Sequence, residues 1–253
     1  MTSPLFPRPI AHRGLHDRAS GVIENSASAF EAAIAGNFAI ECDLQLTRDG
    51  VPVVFHDDDL TRLTGQQGRV SERSAAEMGE IPLLDSSAGD RPQTLDAFLA
   101  QIDGRTLLQI ELKFQPDAES TRDLARATAQ SLAQYKGPVT VESFDPRLIA
   151  LVRDFGFSGP RGIITYDYEN SDYPPGIDED ERYILKHLLH WQETRFDFIS
   201  CAQNALTLPA ITFWRSLGKP VTAWTIRSMV EAEAARPHID QIVFEGFNPD
   251  LGH

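Results

Sequence analysis

Four short segments place residues capable of acid–base or ligand chemistry directly at the ends of apolar runs. They are His12-Arg13-Gly14, Glu41-Cys42-Asp43, His56-Asp57 and Glu111-Leu112-Lys113. Burying such groups is costly unless they pair or hold a cation. Glu41, Asp43 and Glu111 brought to one place would repel one another. A hard divalent cation removes that repulsion, and an all-oxygen donor set favours magnesium, calcium or manganese over zinc or copper. Salt bridges to Arg13 and Lys113 are the alternative, with Lys113 simply neutralising Glu111. Three acids against two bases still leave an excess of negative charge. His12 and His56 titrate near neutrality, so one can take a proton while the other gives one. Arg13 offers a planar fork suited to phosphate, and Lys113 a compact charge. Lys113 is one of only four lysines in the chain. A cation, two histidines, an arginine and a lysine describe a site for a phosphoester.

The elements that must position these residues follow from hydropathy. Apolar runs span 9–12, 38–46, 51–56, 106–113, 139–144, 162–166, 196–201, 221–226 and 239–244. Helical patterns lie between most of them, at 26–35, 94–102, 118–135, 146–155, 180–193, 208–217 and 228–235. Alternation of strand and helix implies a parallel sheet with helices outside. Nine runs are one too many for an eight-stranded barrel. Runs 38–46 and 51–56 are joined by Thr47-Arg48-Asp49-Gly50, which is too short for a helix. Asp-Gly between alternating strands signals a hairpin. The expectation is therefore a (β/α)8 TIM barrel over residues 1–253, with a β-hairpin extension after the second strand. With Asp49-Gly50 as a two-residue loop, Asp43 faces His56, and Glu41, Asp43 and His56 share the barrel side. Ile40, Cys42 and Leu44 then point toward the helices.

The ordered set extends beyond these residues. His12-Arg13-Gly14, Glu24-Asn25-Ser26, Glu41-x-Asp43, Thr47-x-Asp49-Gly50-Val51-x-Val53-Val54-x-His56-Asp57, Leu60-x-Arg62-x-Thr64-Gly65 and Glu111-x-Lys113 together resemble the glycerophosphodiester phosphodiesterases. The resemblance is densest over 10–113 and continues weakly through Glu142-Ser143-Phe144-Asp145 and Trp224-Thr225. It implies the same barrel and hydrolysis of glycerophosphodiesters to sn-glycerol 3-phosphate and an alcohol, with a divalent metal (Mg²⁺ or Ca²⁺). It implies His12 and His56 as the acid/base pair and Glu41, Asp43 and Glu111 as metal ligands. Arg13 and Lys113 would bind phosphate, and Phe144 and Trp224 would line the pocket for glycerol or the alcohol. Glu24 and Asn25 would support the first loop, with Glu24 as a salt-bridge partner of Arg13. Two positions depart from the pattern. Arg227 stands where the family usually has Asn, and Glu245 follows Phe244 where a Thr-Asp pair is usual. Arg227 is expected to contact a second anionic group on the leaving alcohol.

The remaining polar residues have blander readings. His16, His187, His190, His238 and His253 read as surface residues. Asp57 can support a histidine, while Asp58 and Asp59 are solvated. Trp191 and Trp214 belong to the core, and Gly65 and Gly68 to a turn. The acidic stretch 169–181 is either a lid over the mouth or a surface loop.

Composition bounds the alternatives. Apolar residues make up 42% and charged residues 24% of 253, the ordinary globular range. A net charge of −14 disfavours nucleic acid and anionic membranes. Cys42 and Cys201 read as buried thiols. The amino terminus shows no basic start before an apolar run, and no apolar stretch reaches about 18 residues. A cytoplasmic protein without stable membrane association is expected, with a small-molecule substrate and helix faces open to a homodimer. Three other functions stay in view. They are a lysophospholipase D-like or sphingomyelinase D-like enzyme of the same fold, a catalytically silent phosphate-ester-binding barrel, and a metal-dependent barrel doing carbon chemistry. Retention of both histidines argues against the silent barrel. Carbon chemistry of the aldolase kind would need a Schiff-base lysine or metal-binding histidines.

Overall fold

A computed structural model describes residues 4–169 and 176–252. Nine strands form one sheet: β1 (Ile10–Ala11), β2 (Ala39–Leu46), β3 (Pro52–Val54), β4 (Leu108–Leu112), β5 (Val139–Ser143), β6 (Arg161–Thr165), β7 (Phe198–Ala202), β8 (Val221–Ile226) and β9 (Gln241–Phe244). Eight of them run parallel, and β1 pairs with both β2 and β9, which closes the ring. β3 lies outside it, antiparallel on β2. This is the (β/α)8 barrel with a hairpin extension that the alternation of runs implies.

Strand alternation divides the side chains as expected. Ile40, Cys42, Leu44, Leu108, Ile110 and Leu112 are buried in the layer between strands and helices. Their neighbours Glu41, Asp43, Gln109 and Glu111 take the inner face and are also buried. Phe6, Ile10, Ala39, Leu107, Phe198 and Val243 form a separate apolar cluster at the N-terminal end of the strands, with Phe6 edge-on to Phe198 at 5.0 Å. The floor of the barrel is thus plugged, and the polar residues open only toward the other end. Helix caps are local and legible. Ser26 accepts from Ala29 N at the start of Ala27–Ala35, and Asp145 accepts from Arg147 N ahead of Pro146–Asp154.

Two expectations need correction. The first is the hairpin register. β2 and β3 pair Leu44 with Val54, Gln45 with Val53 and Leu46 with Pro52, one residue away from the pairing that opposes Asp43 to His56. Thr47 N bonds to Val51 O, so the loop is the three residues Arg48-Asp49-Gly50. Gly50 takes φ +75°, the left-handed residue that three-residue hairpin loops use. Asp43 therefore faces Phe55, whose N bonds to Asp43 O, and His56 lies beyond the strand. His56 still reaches the barrel mouth because the chain bends there, held by Gln45 Nε2 bonding to His56 O at 3.2 Å and to Asp58 Oδ1 at 3.0 Å.

The second concerns 180–193, which is two helices, Glu179–Lys186 and Trp191–Thr194, rather than one. Leu188 between them takes φ +54°, which a continuous helix forbids. His190, read as a surface residue, is 3% exposed beside Phe196. The segment after β3 carries its own small core, in which Val53, Phe55, Leu60, Leu63 and Met78 pack with Ile23. Part of the acidic 169–181 stretch, residues 170–175, lies outside the described residues, as does His253.

Candidate active site

The C-terminal ends of the strands surround a cavity of about 390 Å³. His12, Arg13, Glu41, His56, Glu111 and Lys113 line one side of it. Phe144, Trp224, Arg227 and Glu142 line the other. Asp43 lies just beneath, 1% exposed. A wider groove of about 910 Å³ runs between the helices Leu95–Ile102 and Ala118–Leu132, and none of these residues reaches it.

Backbone geometry at the first loop is unusual. Arg13 and Asn25 both take positive φ, at +57° and +54°. Such conformations persist only when the surroundings hold them. Here Arg13 N donates to Glu41 Oε2 at 2.9 Å, and Asn25 N donates to Arg13 O at 2.9 Å. Gly14 follows at φ +79°, and a Cβ there would stand 2.9 Å from Ala29. The loop therefore needs glycine to sit against the helix.

Glu41, Asp43 and Glu111 offer carboxylate oxygens that all lie within 4.8 Å of one another. This spacing and an all-oxygen donor set fit a hard divalent cation. Asp43 Oδ1 is buried without a hydrogen bond, and Lys113 Nζ lies 3.5 Å from it and 2.9 Å from Glu111 Oε1. Burial together with Asp43 and Glu111 pushes Glu41 well above the usual carboxylate range. Burial opposes ionisation of Asp43, but His56, Lys113 and Arg13 outweigh it and hold its carboxyl well below that range. Negative charge is thus concentrated on Asp43 and partly suppressed on Glu41.

A chain of ion pairs links the first and third loops. Arg13 Nε lies 3.3 Å from Asp43 Oδ2, and Arg13 Nη1 donates to Glu24 Oε1 at 2.7 Å. Arg62 bridges Glu24 and Asp57 with bonds of 2.6–3.0 Å. Burial alone would raise Glu24, yet Arg62 and Arg13 hold it at about 2. Asp57 in turn meets His56 Nδ1 at 2.6 Å. An ionised carboxylate only accepts, so Nδ1 carries the proton and Nε2 is left for the cavity. Asn25 Nδ2 donates to Asp43 Oδ2 at 2.8 Å, which fixes the acid from below. Glu24 and Asn25 line no part of the cavity and touch Arg13 and Asp43 from behind it.

His12 has the matching arrangement on the opposite side. Its Nδ1 lies 2.6 Å from Glu245 Oε2, and its Nε2 lies 3.9 Å from Glu41 Oε2. Burial lowers the His12 pKa, while the bond to Glu245 resists that shift. His16, read as a surface residue, is half-buried with Nε2 3.8 Å from Glu245 Oε2. Arg227 donates to the other oxygen, Oε1, through Nε at 2.8 Å and is ion-paired through Nη2 at 2.7 Å. On the far wall Phe144 meets Trp224 edge-on at 5.6 Å, and Trp224 Nε1 donates to Ser200 O at 3.1 Å.

Three residues here are named in the sequence reading without a role in the site. Glu142 is buried opposite Glu111 across β4 and β5, and burial and Glu111 push it up to about 8. The period of two in Val139–Ser143 puts Glu142 on the inner face, which was a usable signal. Arg62 bridges Glu24 and Asp57 from a distance that no local spacing reveals. Glu245 is visible as a departure from pattern, but its bond to His12 crosses 233 residues of chain.

The glycerophosphoryl diester phosphodiesterase family model matches residues 12–239. The chain belongs to that family. Every motif segment singled out in the sequence lies within the matched stretch except Glu245. A putative glycerophosphodiester phosphodiesterase of Bacillus subtilis is 35% identical over 167 residues, covering 62% of this chain and 65% of the relative. A mouse lysophospholipase D is 42% identical over 84 residues, covering 32% of this chain and 23% of the relative. These matches thus span less than two thirds of the relatives' own lengths. A phosphodiesterase from Oleispira antarctica, solved with sn-glycerol 3-phosphate, superposes with a TM-score of 0.78 at 21% identity, covering 97% of this chain and 95% of that one. At that identity the likeness speaks for the barrel of this phosphodiesterase family.

Proposed function

We propose that this protein hydrolyses glycerophosphodiesters to sn-glycerol 3-phosphate and an alcohol. The observation that carries the reading is two histidines with Nδ1 bound to carboxylates, both lining one cavity with Glu41, Glu111, Arg13 and Lys113, while Asp43 completes the acid cluster beneath. Glu41, Asp43 and Glu111 would hold a divalent cation. When bound, it polarises the phosphoryl oxygens and neutralises charge that develops on them. Arg13 and Lys113 bind the phosphate beside it and offset its charge. His12, unprotonated because burial lowers its pKa, takes the proton from the attacking hydroxyl or water. A P–O bond forms to that oxygen as the bond to the leaving alcohol breaks. His56, entering the step protonated on both ring nitrogens, gives the departing alkoxide the proton on Nε2. Phe144 and Trp224 wall the space for the organic part of the substrate.

One observation favours a second substrate class. A groove of about 400 Å³ runs past Phe114, Ile177, Ile184 and Leu185 on one hand and Asp145, Arg147, Glu181 and Glu193 on the other, and shares Phe144 with the catalytic cavity. A lysophospholipid would have a place there for its acyl chain. The test is release of sn-glycerol 3-phosphate from glycerophosphocholine and glycerophosphoethanolamine, with Mg²⁺ or Ca²⁺ and with EDTA. Release that EDTA abolishes is expected. Inactivity on both, together with choline freed from lysophosphatidylcholine, would replace the first reading with the second.

A further inference from the structure

Arg227 and Glu245 lie at the ends of neighbouring strands, β8 and β9, and Glu245 N bonds to Ile226 O at 3.0 Å. Their side chains share one carboxylate. Glu245 Oε1 takes Arg227, at 2.8 Å from Nε and 2.7 Å from Nη2. Oε2 takes His12 Nδ1 at 2.6 Å. Arg227 is anchored in turn, because its backbone N donates to Glu231 Oε2 at 2.6 Å. We infer that Arg227 is a positioning residue that acts through Glu245 to fix the ring and tautomer of His12.

The reason is geometric. A carboxylate held at one oxygen can still rotate about its terminal bond and offer either oxygen to the imidazole. Anchoring the other oxygen on a planar guanidinium fixes its plane. The Nδ1 proton then has one acceptor, and Nε2 is left as the basic nitrogen facing Glu41 and the cavity. His16 competes for the same oxygen from 3.8 Å, so an unanchored Glu245 could swing to it and release His12. The arrangement also bears on the expectation that Arg227 binds an anionic leaving group. Two of its nitrogens are already committed to Glu245, so selectivity for anionic headgroups is not what its placement supports.

This inference rests on His12 as the proton acceptor of the proposed reaction. The test therefore includes an arm that does not need turnover. The ¹⁵N resonances of the His12 imidazole are recorded in the wild type, Arg227→Gln, Arg227→Lys and Glu245→Gln. The wild type is expected to show one tautomer with the proton on Nδ1. Arg227→Gln should show a mixture, and Arg227→Lys should recover most of the single form. Kinetics are measured on glycerophosphocholine and glycerophosphoserine. Arg227→Gln should lower kcat about 10-fold with KM changed less than about 2-fold for both substrates. The double variant Arg227→Gln/Glu245→Gln should be no slower than Glu245→Gln alone, because the arginine acts only through the acid. An unchanged tautomer in Arg227→Gln, additive losses in the double variant, or a KM rise confined to glycerophosphoserine would each overturn the inference. A wild type inactive on both diesters would count against the proposed reaction, while the tautomer arm would still decide the role of Arg227.

Discussion

His12 and His56 each commit Nδ1 to a carboxylate at 2.6 Å, and each of those carboxylates is gripped by an arginine. The two histidines are thus built alike, although the supports of His56 lie within six residues of it and those of His12 more than 200 residues away. His56→Asn is expected to lower kcat by about 10²–10⁴-fold, as loss of a general acid does, with the melting temperature close to that of the wild type. Steady-state kinetics beside a thermal melt would check it, and an undiminished kcat would remove His56 from the chemistry. Asn25 makes a different kind of contribution. It donates to buried Asp43 while holding a left-handed backbone, so Asn25→Gly keeps the conformation and loses the bond. The expected cost is about 1–3 kcal/mol in urea unfolding, because Asp43 loses a donor it cannot replace from solvent. A change within about 0.3 kcal/mol would mean that the bond contributes little.

At the scale of elements, the hairpin offers a clean test. Gly50 stands at φ +75° with open space around the position of a Cβ. Gly50→Ala should therefore cost only the backbone preference, about 1 kcal/mol, and leave kcat unchanged. A larger loss would mean that the loop is held by contacts beyond its own turn. The junction between Glu179–Lys186 and Trp191–Thr194 gives a pH-dependent prediction. Burial lowers His190 to about 4, against about 6.5 in an unfolded chain. Below pH 6.5 the unfolded chain binds this proton before the folded one does. The stability from a neutral His190 is therefore full above pH 6.5 and is lost as pH falls toward 4, by up to about 3 kcal/mol. His190→Gln should flatten that part of the curve in denaturant titrations between pH 7 and pH 4, and parallel curves would contradict the assignment.

These elements also mark where sequence reasoning works and where it stops. The barrel and the inner-face placement of Glu41, Asp43 and Glu111 follow from period-two alternation and from one segment too short to be a helix. The hairpin register does not, because Asp-Gly serves both two- and three-residue loops, and the two differ in the backbone of Asp49, which is not left-handed here. His56 reaches the site for a reason absent from the strand pattern, namely the bend that Gln45 holds. The break at Leu188 is equally hidden, since leucine carries no signal for a left-handed turn. The long-range bonds of Glu245 and Arg62 belong to the closed barrel and have no local signature.

At the scale of the whole molecule, a chain of net charge −14 gathers Arg13, Lys113 and Arg227 around one mouth. An anionic substrate meets long-range repulsion before it meets those local cations. Added salt shortens the Debye length from about 30 Å at 0.01 M to about 8 Å at 0.15 M, which screens the distant charges more than the adjacent ones. At saturating metal, kcat/KM for glycerophosphoglycerol should therefore rise by up to about 2-fold over that range. A steady fall would show that the local cations dominate even at a distance. Phe6 and Phe198 plug the other end of the barrel, so the proposed substrate would enter and leave by this mouth. Among the described residues no helix is long and apolar enough to cross a membrane.

If His12 does proton chemistry beside a cation held by Glu41, Asp43 and Glu111, removing its ring should spare the cation and stop the reaction. The decisive comparison is between wild type and His12→Ala, for Mg²⁺ or Ca²⁺ binding by calorimetry and for release of sn-glycerol 3-phosphate from glycerophosphocholine. The expected result is a metal affinity within a few-fold of wild type in His12→Ala and a loss of product release of about 10²-fold or more. Product release that survives the substitution, with metal still bound, would contradict this role for His12.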